Sequence, residues 1–129
     1  MRLLLDSHIL IALTREELSA ANNAITLLLD TDAHEKFVSV ASLWEIAIKH
    51  RLGKLTLRMQ LSDLPSYCIS LRYTILPVIT AHVVEDLVDQ PPTRDPFDRL
   101  LLAQCQVEGL RLVTIDRALV DHPLAWRAP

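Results

Sequence analysis

Asp95-Pro96-Phe97-Asp98, the run on to Glu108 and Gly109, and then Leu112-Val113-Thr114-Ile115-Asp116 form the stretch that decides the fold. An acidic cap followed by proline in the first turn is a helix start, because the cap accepts an orphan amide and proline has none to lose. Gly109 is a stop, since glycine enters the left-handed region past a helix end without a Cβ penalty. The run Leu112 to Ile115 then favours a strand. A helix of about thirteen residues is roughly 20 Å long at 1.5 Å per residue, the depth of a sheet. Joined to the strand by so short a connection, it runs antiparallel to that strand and sets Asp98 beside the strand's carboxyl end, where Asp116 follows.

The same alternation repeats outward. Leu3-Leu4-Leu5, ended by Asp6-Ser7, is a buried strand feeding a helix over Ile9 to Leu13. A polar segment, Asp30 to Lys36, precedes a second strand, Phe37-Val38-Ser39-Val40. Ser42-Leu43-Trp44-Glu45 opens the next helix, with Glu45 in its first turn and Gly53 as its stop. Pro65 marks another helix start. Tyr73 to Ile79 makes a third strand, at an edge because Pro77 lacks a ladder donor. Ala81 to Val88 reads as helical, Gln90 to Arg94 as a rigid loop, and Leu124 to Trp126 as a short fifth strand. Strands alternating with helices on short connections predict an α/β fold with a parallel sheet covered on both faces.

In a parallel sheet the residues that leave the strands' carboxyl ends gather along one edge. Asp6, Glu45, Asp98 and Asp116 all belong to that edge. Two carboxylates about 5 Å apart repel by roughly 3 kcal/mol at an effective dielectric near 20, so four need a counter-charge. Hard divalent cations such as Mg²⁺ prefer carboxylate and water oxygens, and a metal-activated water aimed at a phosphodiester is common chemistry for such a nest. Each acid also has a structural use: Ser42 with Glu45 is a capping box, Glu45 with Lys49 an i,i+4 pair, and the aspartates suit helix caps and turns.

With 129 residues, half of them apolar, the chain supports one domain, spanning residues 1–129, with a full core. A net charge of -3 argues against a general nucleic-acid coat but not against acids concentrated in a metal site. Cys68 and Cys105 lack metal-ligand or redox spacing and read as packed, reduced thiols. Asp6 and His8 break the apolar N-terminal stretch that superficially suggests a signal peptide, and no run reaches membrane-spanning length. The expectation is a soluble cytoplasmic protein with no membrane contact.

Leu3-Leu4-Leu5-Asp6-Ser7-His8, Ser42-Leu43-Trp44-Glu45-Ile46-Ala47-Ile48-Lys49, Arg94-Asp95-Pro96-Phe97-Asp98-Arg99-Leu100-Leu101 and Leu112-Val113-Thr114-Ile115-Asp116, in that order across nearly the whole chain, resemble a PIN-domain nuclease of the VapC type, the toxin half of bacterial toxin-antitoxin pairs. The resemblance implies a PIN-like three-layer α/β/α fold with a four- to five-stranded parallel sheet, and Mg²⁺- or Mn²⁺-dependent cleavage of RNA. By motif position Asp6, Glu45, Asp98 and Asp116 would be the catalytic, metal-holding acids, with Ser7 and Thr114 as supporting hydroxyls and Asp95 as a cap or outer residue. It also implies a cognate antitoxin protein as partner. Ala12 and Leu119 stand where relatives often carry aromatic residues, which bears on packing rather than on the metal.

Lys49, His50, Arg51, Lys54 and Arg58 make a cationic stretch after Glu45, of which Lys49, Arg51 and Lys54 are candidates to hold RNA phosphates. A solvated helix face explains the stretch equally well. Few aromatics are available for base stacking, so shape and backbone contacts are expected to dominate RNA recognition. His8 reads as a helix-turn residue, because hard cations favour oxygen. An aspartyl-phosphate phosphatase would need an acid where His8 stands, and the two glycines, Gly53 and Gly109, follow no strand, which excludes glycine-rich phosphate loops. A receiver-like domain would leave the cationic stretch without a use. The remaining alternative is a catalytically silent α/β module acting through protein contacts, since the apolar fraction suits surface buried in a homodimer or under an antitoxin segment.

Overall fold

Leu3, Leu4 and Leu5 are all fully buried, yet their side chains leave the strand on alternate sides, and this alternation builds the molecule. The computed structural model describes residues 1–18 and 22–129. Leu3 and Leu5 join Ile9, Leu10, Ile25, Val38, Leu64, Cys68 and Val113 in one apolar layer. Leu4 joins Phe37, Ala41, Leu101, Leu102, Cys105, Leu112 and Leu119 in the other. The sheet therefore lies between two cores, as the expected three-layer α/β/α arrangement requires.

Among the described residues four strands pair in the order β3-β2-β1-β4, all parallel: β1 Arg2–Leu5, β2 Glu35–Ser39, β3 Thr74–Leu76 and β4 Arg111–Val113. Leu4 is paired with Phe37 on one side and Leu112 on the other. The helices are α1 Ser7–Thr14, α2 Asn23–Asp30, α3 Val40–Arg51, α4 Leu64–Ser70, α5 Thr80–Val83 and α6 Pro96–Glu108. The chain leaves β1 toward β2 on one side and returns at β4 on the other, so the order reverses between β1 and β4. Parallel α/β folds open a crevice at such a reversal.

The helix of the deciding stretch folds as read. Asp95 caps α6 by accepting from the Phe97 amide at 2.8 Å, Pro96 occupies the first turn, and Gly109 ends the helix at φ 69°. Pro65 lies in the first turn of α4, and β3 is an edge strand.

Five readings need correction. The segment 124–126 makes a single parallel bridge from Ala125 to Leu112 and not a fifth strand. The helix expected over 81–88 stops at Val83: Val83, Val84 and Val88 are largely exposed, and past the helix only Leu87 of that span packs into the core. The third and fourth strands are shorter than expected, Pro77 lying just past one and Thr114 just past the other. The helix carrying Glu45 begins at Val40, because Ser39 and not Ser42 caps it, its hydroxyl accepting from the Ala41 amide at 3.0 Å. Glu45 thus sits in the second turn, and Ser42 is buried with no partner for its hydroxyl among the described residues. Finally, α2 was not anticipated, although Asn22 supplies its cap on the Ile25 amide at 3.1 Å.

Candidate active site

Asp6 follows β1 directly, and its amide continues the ladder by donating to the Val113 carbonyl at 3.0 Å. Its side chain is buried and held at both oxygens. Oδ1 accepts from the His8 amide at 2.6 Å, capping α1, and Oδ2 accepts from the Thr114 hydroxyl at 2.6 Å. Thr114 in turn accepts from the Asp116 amide at 3.0 Å, and Asp116 accepts from the Ala118 amide at 2.9 Å. One hydroxyl thus ties the end of β1 to the turn after β4, the two strands that flank the reversal.

Glu45 reaches the same edge from α3. It is buried, receives the Ser7 hydroxyl at 2.5 Å on Oε1 and the Lys49 ammonium at 2.9 Å on Oε2. The bond to Glu45 raises the affinity of Lys49 for its proton, against the opposing effect of burial. Asp98 enters from the first turn of α6, with Thr93 Oγ1 3.4 Å from its Oδ2. Burial pushes its carboxyl up to about 6, reinforced by the charges of Asp95, Asp116, Asp6 and Glu45. Asp98 thus lies within the field of the other three sequence-selected acids.

The acids and the Ser7 and Thr114 hydroxyls offer oxygen donors, the chemistry a hard cation takes, with the Lys49 ammonium and the His8 ring beside them. As the side chains stand, no three acidic, histidine or cysteine groups among the described residues are closed to metal-enclosing spacing. Glu45 is turned to Ser7 and Lys49, and Asp6 to Thr114. The donor set suits a divalent cation, and its uncompensated repulsion on Asp98 is what such an ion would relieve.

The cationic stretch divides. Lys49 is at the acids, but Arg51 is exposed at the far end of α3, about 9 Å along the axis from Glu45 at 1.5 Å per residue, and Lys54 is exposed beyond that end. His8 Nδ1 lies 3.4 Å from Asp6 Oδ1, a bond that raises the His8 pKa. Neither this contact nor the Thr93 contact to Asp98 was read from the sequence. Trp44 and Phe97, neighbours of Glu45 and Asp98, form an edge-to-face pair with ring centroids 5.7 Å apart. That pair was also missed, though its adjacency to the acids was visible. A cleft of about 400 Å³ lined by Leu13, Lys36, Tyr67 and Tyr73 opens at the opposite edge of the sheet, remote from the acids.

An α/β protein with an acid-rich reversal point is thus defined by its residues. The chain belongs to the PIN domain family, whose model matches residues 3–123. It is also similar in structure to a chain of VapBC2 from Rickettsia felis, solved bound to a DNA fragment from their promoter, with a TM-score of 0.62 and 16% identity over 97% of this chain and 96% of that one. No curated protein matches the sequence. Among the described residues no helix is long and apolar enough to cross a membrane.

Proposed function

We propose that the chain is a divalent-metal-dependent endoribonuclease acting as the toxin of a toxin-antitoxin pair, with Asp6, Glu45, Asp98 and Asp116 as the metal-holding acids. The observation that carries this reading is the approach of Asp6, Glu45 and Asp116 to Asp98 at the sheet reversal of a PIN domain. Bound there, Mg²⁺ or Mn²⁺ supplies the counter-charge and an activated water for in-line attack on a phosphodiester. Thr114 and the His8 amide fix the Asp6 carboxylate, and Ser7 fixes Glu45, so two of the four acids are oriented in advance. Lys49 neutralises part of the nest and, on a flexible stem, can turn from Glu45 to a phosphate oxygen of the substrate.

The likeness to VapBC2 supports a separate antitoxin chain as partner. The exposed Val83, Val84 and Val88 offer apolar surface to that chain or to a second copy in a homodimer. An RNA substrate and a cytoplasmic location complete the reading.

Purified protein incubated with total RNA in Mg²⁺ or Mn²⁺ tests it. Cleavage is expected with metal, none in chelator, and a loss of at least about a hundredfold in Asp6→Asn, in line with removing a metal-supporting group. Metal should also raise the melting temperature of the wild type and not of the variant. A wild type that neither cuts RNA nor responds to metal fits the silent binding module instead.

A further inference from the structure

Trp44 is 61% exposed, an unusual state for the largest apolar side chain, and it stands one residue from Glu45. Its ring is not loose. The edge-to-face contact with Phe97, at an interplanar angle of 69°, braces it against the first turn of α6, one residue from Asp98. Lys49, whose ammonium also feels Asp95 and Asp98, lies on the same helix, and Arg99 is exposed beside Asp98. An indole open to solvent, braced by Phe97 and adjacent in the chain to one of the acids that would cut a phosphodiester, has the makings of a single-strand stacking platform.

We infer that Trp44, braced by Phe97, stacks on a nucleobase of the RNA substrate and so positions the adjoining phosphodiester at the acids. The inference rests on the nuclease reading above and adds to it a residue that grips the substrate. It also revises the expectation that stacking contributes little. Trp44 adjoins Glu45 and its brace Phe97 adjoins Asp98, and this continuity with the acids favours RNA as the occupant, because a base stacked there holds its own phosphodiester beside them. Stacking is sequence-tolerant, because every base has a π face, so Trp44 supplies affinity and register without selecting a base.

The test uses the intact protein with Trp126→Phe as background, leaving Trp44 as the only indole. Binding is followed by Trp44 fluorescence and anisotropy with a labelled single-stranded adenosine oligonucleotide in Ca²⁺, against an abasic oligonucleotide of the same length and charge; cleavage of total RNA is measured separately in Mg²⁺. Stacking predicts quenching by the adenosine oligonucleotide only. Trp44→Ala should weaken its binding by about 5- to 100-fold, the range for losing one stacked base, leave the abasic affinity unchanged, and keep the melting temperature. Trp44→Phe should restore most of the affinity. Equal weakening of both oligonucleotides, no weakening of either, or Trp44 emission that shifts with protein concentration in the absence of RNA, as in a self-associated face, would overturn the inference while metal-dependent cleavage still stood. Absence of cleavage and of RNA binding in the wild type would instead remove the nuclease reading and the inference with it.

Discussion

Asp98→Asn removes one charge from the nest and keeps an oxygen for the Thr93 hydroxyl, so it isolates electrostatics. The Asp98 carboxyl is raised from 3.8 to about 6 in the fold. A shift of roughly two units corresponds to about 3 kcal/mol. Since the group is half-buried and solvent screens its neighbours, the expected cost of its charge is nearer 1 kcal/mol. The folded state holds this proton more tightly than the unfolded state, so stability falls as pH rises from 3.8 through about 6, and the whole penalty is present above that window. In chelator at pH 8, Asp98→Asn should therefore be more stable than the wild type by about 1 kcal/mol. For 129 residues that is a rise of about 4 °C in melting temperature. At pH 5 the gain should drop to about half. Scanning calorimetry of both proteins at both pH values checks this. A variant less stable than the wild type at pH 8, or a gain that is as large at pH 5, would refute the idea that burial and the neighbouring acids disfavour the Asp98 charge in the fold.

Three further outcomes follow from packing and backbone. Leu4→Ala opens a cavity in the central strand and should destabilise by about 2–5 kcal/mol, measured by urea unfolding with an unchanged slope. Gly109→Ala meets only the Arg2 guanidinium at 4.0 Å, so its cost is the left-handed backbone alone, about 1–2 kcal/mol and a melting temperature lower by roughly 4–7 °C. Burial pushes both the Cys68 and Cys105 thiols up, so a thiol reagent should titrate no cysteine in the native protein and two after denaturation; a fast-reacting native thiol would contradict the packing described.

What could be read in advance was local. Asp95, Pro96 and Gly109 announce α6 because a cap, a missing donor and a positive φ are each properties of one residue. The edge position of β3 followed from Pro77 in the same way. The misplaced start of α3 shows the limit: Ser39 and Ser42 are both competent caps, and the choice was made by the sheet, which ends at Ser39 and buries Ser42. Helix α5 is short for the converse reason, since an apolar run in which Val83, Val84 and Val88 project to solvent has little to extend it. At the site, the four acids were visible from strand and helix ends, but the hydroxyls' allegiances were not. That Ser7 serves Glu45 and Thr114 serves Asp6 depends on the approach of α3 and β4 to β1, which no local pattern encodes. The division of the cationic stretch likewise depends on the direction of α3 away from the acid edge.

The bond from Thr114 to Asp6 joins residues 108 apart in the chain. A ribosome making this protein releases Asp6 early and Thr114 and Asp116 late, and β1 lacks its β4 neighbour throughout the interval. The acid edge consequently waits for residues made long after its first member. A polypeptide that stops short of Thr114 carries some of the carboxylates but not the clasp that aligns them, so whatever chemistry the edge performs is withheld until that hydroxyl is in place.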